Sequence, residues 1–155
     1  MGYKEEIFTS KYFDDLEVGD RWKTPAKTIT ETDMIMFNRV VGLVNRAFYD
    51  EEYLRKDALF NKRFASGVMT IPLAAGLFTE LRLVDDTMLA MLGMEAKLTR
   101  PLFAGDTIYV DVEVTSKKET KNPDRGIVRW KYTPINQEGE SLGDITEIIL
   151  MKRKS

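Results

Sequence analysis

The 155-residue sequence contains no histidine and no cysteine. The missing cysteine excludes disulfides, thiolate metal ligands and a thiol nucleophile. The missing histidine removes the side chain that exchanges protons near neutral pH without special tuning. A formal net charge of −2 gives no global basic field, so we expect no nucleic-acid partner.

The sequence also lacks any apolar run near the roughly twenty residues that a membrane-spanning helix needs. Its segment 1–6 is polar and has no signal-peptide core. Together with the missing cysteine, these absences predict a cytoplasmic protein that makes no membrane contact. What remains is typical of a soluble fold, with 43% hydrophobic and 31% charged residues. Because no repeat or linker divides the chain, we expect a single domain over residues 1–155.

Hydrophobic alternation in the second half of the sequence predicts antiparallel strands. Apolar residues occupy every second position in 108–114, and the same period recurs in 128–132. A third strand is expected at 144–151, where 148–150 is apolar on both faces, as in a central strand. An earlier strand is expected at 94–99. Turn signals between these segments complete the pattern of an antiparallel meander.

The first half of the sequence predicts helices instead. Thr30 is expected to cap a helix that ends near Val41, with Gly42 as its C-terminal stop. The charged segment 50–56 is expected to form a short helical turn inside a long connection.

A third helix is expected at 67–83, where apolar residues lie nearly all round, as in a helix buried on most sides. Ser66 can cap its start. Pro72 should kink or loosen this helix if it begins at Gly67, or lie in its first turn if it begins later.

One buried helix followed by antiparallel strands predicts an α+β fold, a sheet curled around a helix. Such a sheet leaves an exposed edge, which commonly pairs with a second copy.

Four segments in this order resemble a known family. They are Tyr-Phe-Asp-Asp-Leu-Glu-Val-Gly-Asp at 12–20, Thr-Ile-Thr-Glu-Thr-Asp at 28–33, Arg-Phe-Ala-Ser-Gly-Val-Met-Thr at 63–70 and Arg-Pro-Leu-Phe-Ala-Gly-Asp-Thr at 100–107. The chain from 12 to 152 resembles the MaoC-like dehydratases, which include the R-specific enoyl-CoA hydratases. The resemblance implies a hotdog fold, an antiparallel sheet wrapped around a long central helix, in a dimer whose two sheets are continuous. It further implies a ligand, an acyl-CoA or acyl-carrier thioester, in a tunnel near the dimer interface, with no separate cofactor and no metal.

The resemblance also shows what this chain lacks. Enzymes of the family carry a Gly-Asp-x-Asn-Pro-x-His pattern after the first helix, whose aspartate and histidine activate water for addition to the enoyl double bond. Here Leu43 takes the aspartate position and Phe48 the histidine position, while Arg46 replaces the proline. Gly42 and Asn45 remain. Neither apolar replacement can carry a proton, so the standard hydratase mechanism is not open to this chain alone.

Binding of a thioester carbonyl could survive the loss of these two residues. A backbone N–H at the start of the central helix helps to hold the thioester carbonyl in the family, and Gly67 matches that position. Ser66 stands where a second family histidine commonly lies. Asn45 could orient a ligand group or only satisfy its loop, and Gly67 could serve packing alone.

Other side chains around this segment allow two interpretations each. Tyr49 and Phe64 could line an acyl pocket or fill the core, and Arg46 could meet CoA phosphates or solvate its loop. The carboxylates of Asp50 and Glu80 could act as bases if buried, although a charge run and a helix end favour surface positions.

Three hypotheses follow from these residues. The first is an acyl-thioester binding protein that does not hydrate its ligand by itself, as a homodimer or as the inactive partner of a catalytic paralogue in a heterodimer. The second is a hydratase or thioesterase with rebuilt chemistry, based on a carboxylate such as Asp50 or Glu80. The third is a structural homodimer in which Leu43 and Phe48 fill the ancestral site.

Overall fold

The computed structural model of the chain describes residues 2–3 and 9–154. Most of the polar segment 1–6 considered above lies outside the described residues. The described part contains two 3-10 helices, Phe13–Asp15 and Arg46–Phe48, and three α-helices, α1 Glu31–Val41, α2 Glu51–Lys56 and α3 Gly67–Thr79. Its strands are β1 Arg21–Lys23, β2 Lys27–Thr28, β3 Met88–Leu98, β4 Thr107–Glu119, β5 Arg125–Ile135 and β6 Gly143–Lys152. No helix in these ranges is long and apolar enough to cross a membrane.

All strand pairs in the sheet are antiparallel, and the spatial order is β1-β4-β5-β6-β3, with β2 also pairing with β4. The predicted α+β fold is therefore confirmed. The alternation expected in β4 and β5 is confirmed as well, because one row of side chains on each strand is fully buried. That row comprises Ile108, Val110, Val112, Val114, Val128, Trp130 and Tyr132.

The buried row faces α3, which contacts β4, β5 and β6. Phe78 of α3 packs against Trp130 and Tyr132, with ring centroids 5.0 and 4.9 Å apart. The core thus lies between one apolar helix and the concave face of the sheet. Burial of these large side chains, at roughly 25 cal/mol per Å² of apolar surface, is the main force that holds the sheet around α3.

The predicted helix boundaries near α1 and α2 are confirmed by their caps. Thr30 Oγ1 accepts the Asp33 N–H at 3.2 Å, and the Thr30 N–H donates back to the Asp33 carboxylate at 2.8 Å. This backbone donor, with the Thr30 hydroxyl, holds the pKa of Asp33 below its usual value. Gly42 ends α1 with a φ of 74°, a left-handed conformation that glycine adopts without strain. Asp50 caps α2.

The predicted start of α3 is confirmed, but its predicted end is wrong. Ser66 Oγ accepts the Met69 N–H at 3.3 Å, and the helix runs through Pro72 from Gly67. It ends at Thr79 instead of residue 83, because the next turn tightens into i→i−3 bonds and Arg82 has a φ of 59°. A left-handed residue cannot continue an α-helix.

The prediction for β3 is also wrong at its start, since the strand begins at Met88 rather than at residue 94. This strand is an edge of the sheet, and within the described part of the chain it pairs with β6 alone. Its first half has no hydrophobic alternation, because neighbouring apolar side chains are all about half exposed. They are Met88, Leu89, Met91 and Leu92. Two register irregularities in the same half further blur the period.

Candidate functional site

The N-terminus of α3 opens onto a cavity of about 300 Å³. Gly67 is the first helical residue, so its N–H has no partner within the helix, and the helix dipole adds positive partial charge there. The cavity wall is mostly apolar and includes Phe60, Phe64, Leu98 and Thr70. A free backbone donor beside apolar surface is suited to a ligand with a carbonyl oxygen and a hydrocarbon chain.

Phe48 packs directly against the wall of this cavity. Its ring centroid lies 5.6 Å from that of Phe64, in an edge-to-face arrangement. Phe60 continues the cluster, at 5.2 Å from Phe64 and 5.6 Å from Phe103. The structure therefore brings together Phe48, Phe64 and Gly67, which the sequence indicates as three separate candidates. Phe48 is only partly buried, and the cavity beside it is not filled by its ring.

Arg63 fixes the loop that carries Phe48. Its guanidinium donates to the Phe48 carbonyl at 2.6 Å and to Glu31 at 3.1 Å, and it also pairs with Glu51. The side chain is 12% exposed, so these acceptors enclose it. Arg63 thereby ties the altered loop to the segment that leads into α3.

Arg46 and Asp50 are each other's partners, with Nε and Oδ2 2.7 Å apart. Asp50 also accepts the Tyr53 N–H at 2.9 Å as the cap of α2. This backbone donor and the Arg46 guanidinium hold the pKa of Asp50 below its usual value. An ionised, fully engaged carboxylate at the surface is poorly suited to act as a general base. Glu80 is exposed at the C-terminal end of α3, and neither acid lines the Gly67 cavity.

The remaining predicted residues do not converge on Gly67. Asn45 is exposed, and its carbonyl accepts the Phe48 N–H at 2.9 Å. Ser66 is buried, and its hydroxyl is engaged as the helix cap. Leu43 is partly buried. Tyr49 is 41% exposed and lines a separate cavity at the end of α1.

A buried carboxylate that the sequence analysis missed lies elsewhere in the core. Glu147 of β6 is 7% exposed and accepts a hydrogen bond from the Tyr132 hydroxyl, with the two oxygens 2.7 Å apart. Burial first, and then the Glu147 charge, raise the pKa of Tyr132. The signal for Glu147 was present, because it lies two residues from Ile145 and from Ile149 in the inward row of β6. Glu147 does not line the Gly67 cavity, and with Tyr132 it forms a buried hydrogen-bonded pair within the sheet.

Among residues 2–3 and 9–154, no group of three or more acidic side chains could hold a metal ion. The polar residues that line the Gly67 cavity are Thr70, Thr99 and Arg100, which lie beside apolar side chains and the start of α3.

The geometry agrees with comparisons to known proteins. The family model described as "MaoC like domain" matches residues 15–134. Protein MaoC of Klebsiella aerogenes is 33% identical over 111 residues, which are 71% of this chain and 32% of that protein. The chain thus spans about a third of the length of this curated relative.

Solved structures give the same result. A MaoC-like dehydratase from Rhodospirillum rubrum superposes with a TM-score of 0.81 at 26% identity, covering 94% of this chain and 99% of that one. The unliganded R-hydratase PhaJ1 from Pseudomonas aeruginosa gives 0.73 at 28% identity, covering 93% and 86%. A Mycobacterium tuberculosis protein described as a double hotdog fold gives 0.81 at 20% identity, covering 94% and 45%. The expected hotdog fold is confirmed.

Proposed function

This chain belongs to the MaoC-like dehydratase family, and from that premise we propose that it binds acyl thioesters, such as acyl-CoA, without hydrating them by itself. One observation carries the proposal. The sequence has no histidine, and the resemblance to the family assigns Phe48 to the position where its hydratases carry theirs.

The absence of hydration follows from proton chemistry. Addition of water to an enoyl thioester needs one group that takes a proton from water and one that gives a proton to the substrate. Phe48 offers a hydrocarbon ring, held edge-on against Phe64. Leu43, at the aspartate position, offers no proton either. Asp50 is engaged by Arg46, and Glu80 lies at the exposed end of α3, away from the cavity.

Thioester binding is supported by what the site retains. The Gly67 N–H can donate to the thioester carbonyl, and the acyl chain can lie on Phe60, Phe64 and Leu98. The cavity of about 300 Å³ at Gly67 favours binding over a purely structural role, since it is present beside the Phe48–Phe64 ring contact.

Calorimetric titration with butyryl-CoA tests this function, because a saturated acyl group binds without any possible hydration. We expect saturable binding that is tighter than that of free CoA, since only the thioester offers the carbonyl and the apolar chain. Absence of saturable heat with butyryl-CoA, in a protein that is folded by circular dichroism, would refute the proposal.

We further propose that a second copy of this chain, or a catalytic paralogue, pairs along the free edge of β3. The strand is eleven residues long and leaves unpaired backbone groups beside four half-exposed apolar side chains. Pairing along this edge would give the backbone groups hydrogen-bond partners and would bury the apolar side chains. The double hotdog architecture of the Mycobacterium relative supports the pairing of two such units.

Leu92→Lys is expected to shift the protein from dimer to monomer, because a lysine on an edge strand opposes further strand pairing. Leu92 is 52% exposed, so the substitution should leave the core intact. Val18→Lys is the matched control, because Val18 is 59% exposed and precedes β1 at the opposite edge of the sheet. Sedimentation velocity measures both variants, and a dimeric Leu92→Lys would contradict pairing along β3.

A further inference from the structure

Sulfur chemistry in this chain belongs to methionine alone, because the sequence has no cysteine. The core methionines Met34, Met69 and Met151 are at most 2% exposed, so their thioethers are shielded from dissolved oxidants. Met88 and Met91 of β3 are 40% and 53% exposed instead. A peroxide in solution should therefore oxidise these two thioethers well before those of the core.

Both side chains belong to the concave face of the sheet. Met88 lies opposite Met151 in the β3–β6 ladder, and Met91 lies opposite Ile149. Residues opposite each other in an antiparallel pair share a face, and Met151 and Ile149 are fully buried in the inward row of β6. This is the face that α3 contacts at β4, β5 and β6. Met88 and Met91 therefore extend the apolar concave face onto the edge strand.

We propose that Met88 and Met91 form a modification site through which a peroxide controls the pairing of two copies along β3, an inference that rests on the edge pairing proposed above. The thioether sulfur takes one oxygen from hydrogen peroxide, so the peroxide O–O bond breaks, an S–O bond forms and water leaves. The sulfur is oxidised by two electrons, and the peroxide is reduced by the same two. Methionine sulfoxide reductases restore the thioether, so the modification is reversible.

The oxidised side chains oppose pairing. A sulfoxide oxygen is a hydrogen-bond acceptor, and its burial against apolar side chains without a donor costs free energy. Pairing of two copies buries the sulfoxides of both, so we expect the dissociation constant of the dimer to rise by roughly tenfold or more. Because pairing covers the two thioethers, peroxide reacts with the unpaired chain and draws the dimers apart by mass action.

Oxidation at several protein concentrations tests the site without any substitution. Peptide mass spectrometry after a brief treatment with hydrogen peroxide measures the oxygen that each methionine has gained. We expect oxidation of Met88 and Met91 to slow as the protein concentration rises, because dimers cover both side chains. Met36, 61% exposed on α1, is the internal control and should oxidise at the same rate at every concentration.

A double variant, Met88→Leu with Met91→Leu, removes the site at similar volume. Leucine has no sulfur, so this variant should pair as the wild type does and stay dimeric after treatment with peroxide. Met36→Leu is the matched control, because it keeps both thioethers of β3 and should dissociate on oxidation like the wild type. Sedimentation velocity measures the three proteins before and after peroxide, and circular dichroism checks that each remains folded.

The outcomes separate this inference from the edge pairing on which it rests. Dissociation of the oxidised wild type but not of the oxidised double variant would support the site. A wild type that carries oxygen on Met91 and stays dimeric would overturn it, and a monomeric Leu92→Lys would then show that the edge pairing still holds. Equal dissociation of the double variant would also overturn it, because oxidation elsewhere would be responsible.

Two further results are decisive. A wild type that is monomeric before oxidation would refute both the edge pairing and this inference. If the double variant is already monomeric before oxidation, the wild-type footprint decides, and oxidation of Met91 at one rate across all protein concentrations would overturn the site.

Discussion

Replacing Gly143 by alanine is expected to lower the free energy of unfolding by about 3 kcal/mol or more. Gly143 has a φ of 139°, where residues with a Cβ are strained. An added Cβ would lie well under 3.0 Å from the carbonyl oxygen of Lys97 and 2.9 Å from Cα of Leu98. Both neighbours are backbone atoms of β3, so no side-chain rotation can relieve the clash.

The damage should reach the Gly67 cavity as well. Gly143 pairs with Leu98 at the end of the β3–β6 ladder, and Leu98 lines the cavity. Separating the two strands at this point displaces that wall, so we expect weaker butyryl-CoA binding together with lower stability.

Gly139→Ala is the control for the backbone strain alone. Gly139 also has a positive φ, 77°, but an added Cβ meets nothing within 4 Å. Its expected cost is about 1–2 kcal/mol, that of a left-handed alanine. Urea unfolding measures both variants. Equal losses of stability would show that the clash between a Cβ at residue 143 and the backbone of β3 does not lower the free energy of unfolding.

Replacing Gly67 by proline is expected to weaken butyryl-CoA binding by about tenfold relative to Gly67→Ala. Proline has no N–H, so it removes the donor proposed for the thioester carbonyl. The first position of a helix accepts proline, and Ser66, with φ −59° and ψ 147°, has the extended backbone that precedes proline readily.

Gly67→Ala is the matched control because it introduces the same Cβ, 3.0 Å from the flexible Cδ1 of Leu98, and keeps the N–H. Both variants should unfold at similar temperatures, since the first N–H of a helix has no helical partner to lose. Equal affinities of the two folded variants for butyryl-CoA would show that the Gly67 N–H does not hold the thioester carbonyl.

Local chemistry made much of this fold predictable from the sequence. Thr30 caps the start of α1 and Gly42 ends it. Each does so through a partner only a few residues away, so the local sequence is enough to predict both ends of the helix. The alternation in β4 and β5 was equally readable, because one face of these strands meets α3 and the other does not.

The predicted boundaries of β3 and α3 are wrong because tertiary structure determines where these elements begin and end. The first half of β3 is exposed on both faces, so no alternation marks it. The end of α3 depends on the left-handed backbone of Arg82, and an arginine in the sequence does not predict that conformation.

The candidate site was predictable only in part, for a related reason. The resemblance singles out Phe48 and Gly67. In the structure Phe48 packs against Phe64, and Phe64 lines the same cavity as Gly67. Arg46 and Asp50 looked like binding and catalytic candidates, but they satisfy each other four residues apart.

The most direct test of the central claim is to mix the purified protein with crotonyl-CoA and follow binding and hydration in parallel. Calorimetry should show saturable binding, while loss of the enoyl absorbance should proceed no faster than in buffer, with an active R-hydratase as the positive control for the assay. Binding without turnover is the predicted result. Robust hydration by this chain alone would contradict it, because a histidine-free site would then be supplying the proton transfers.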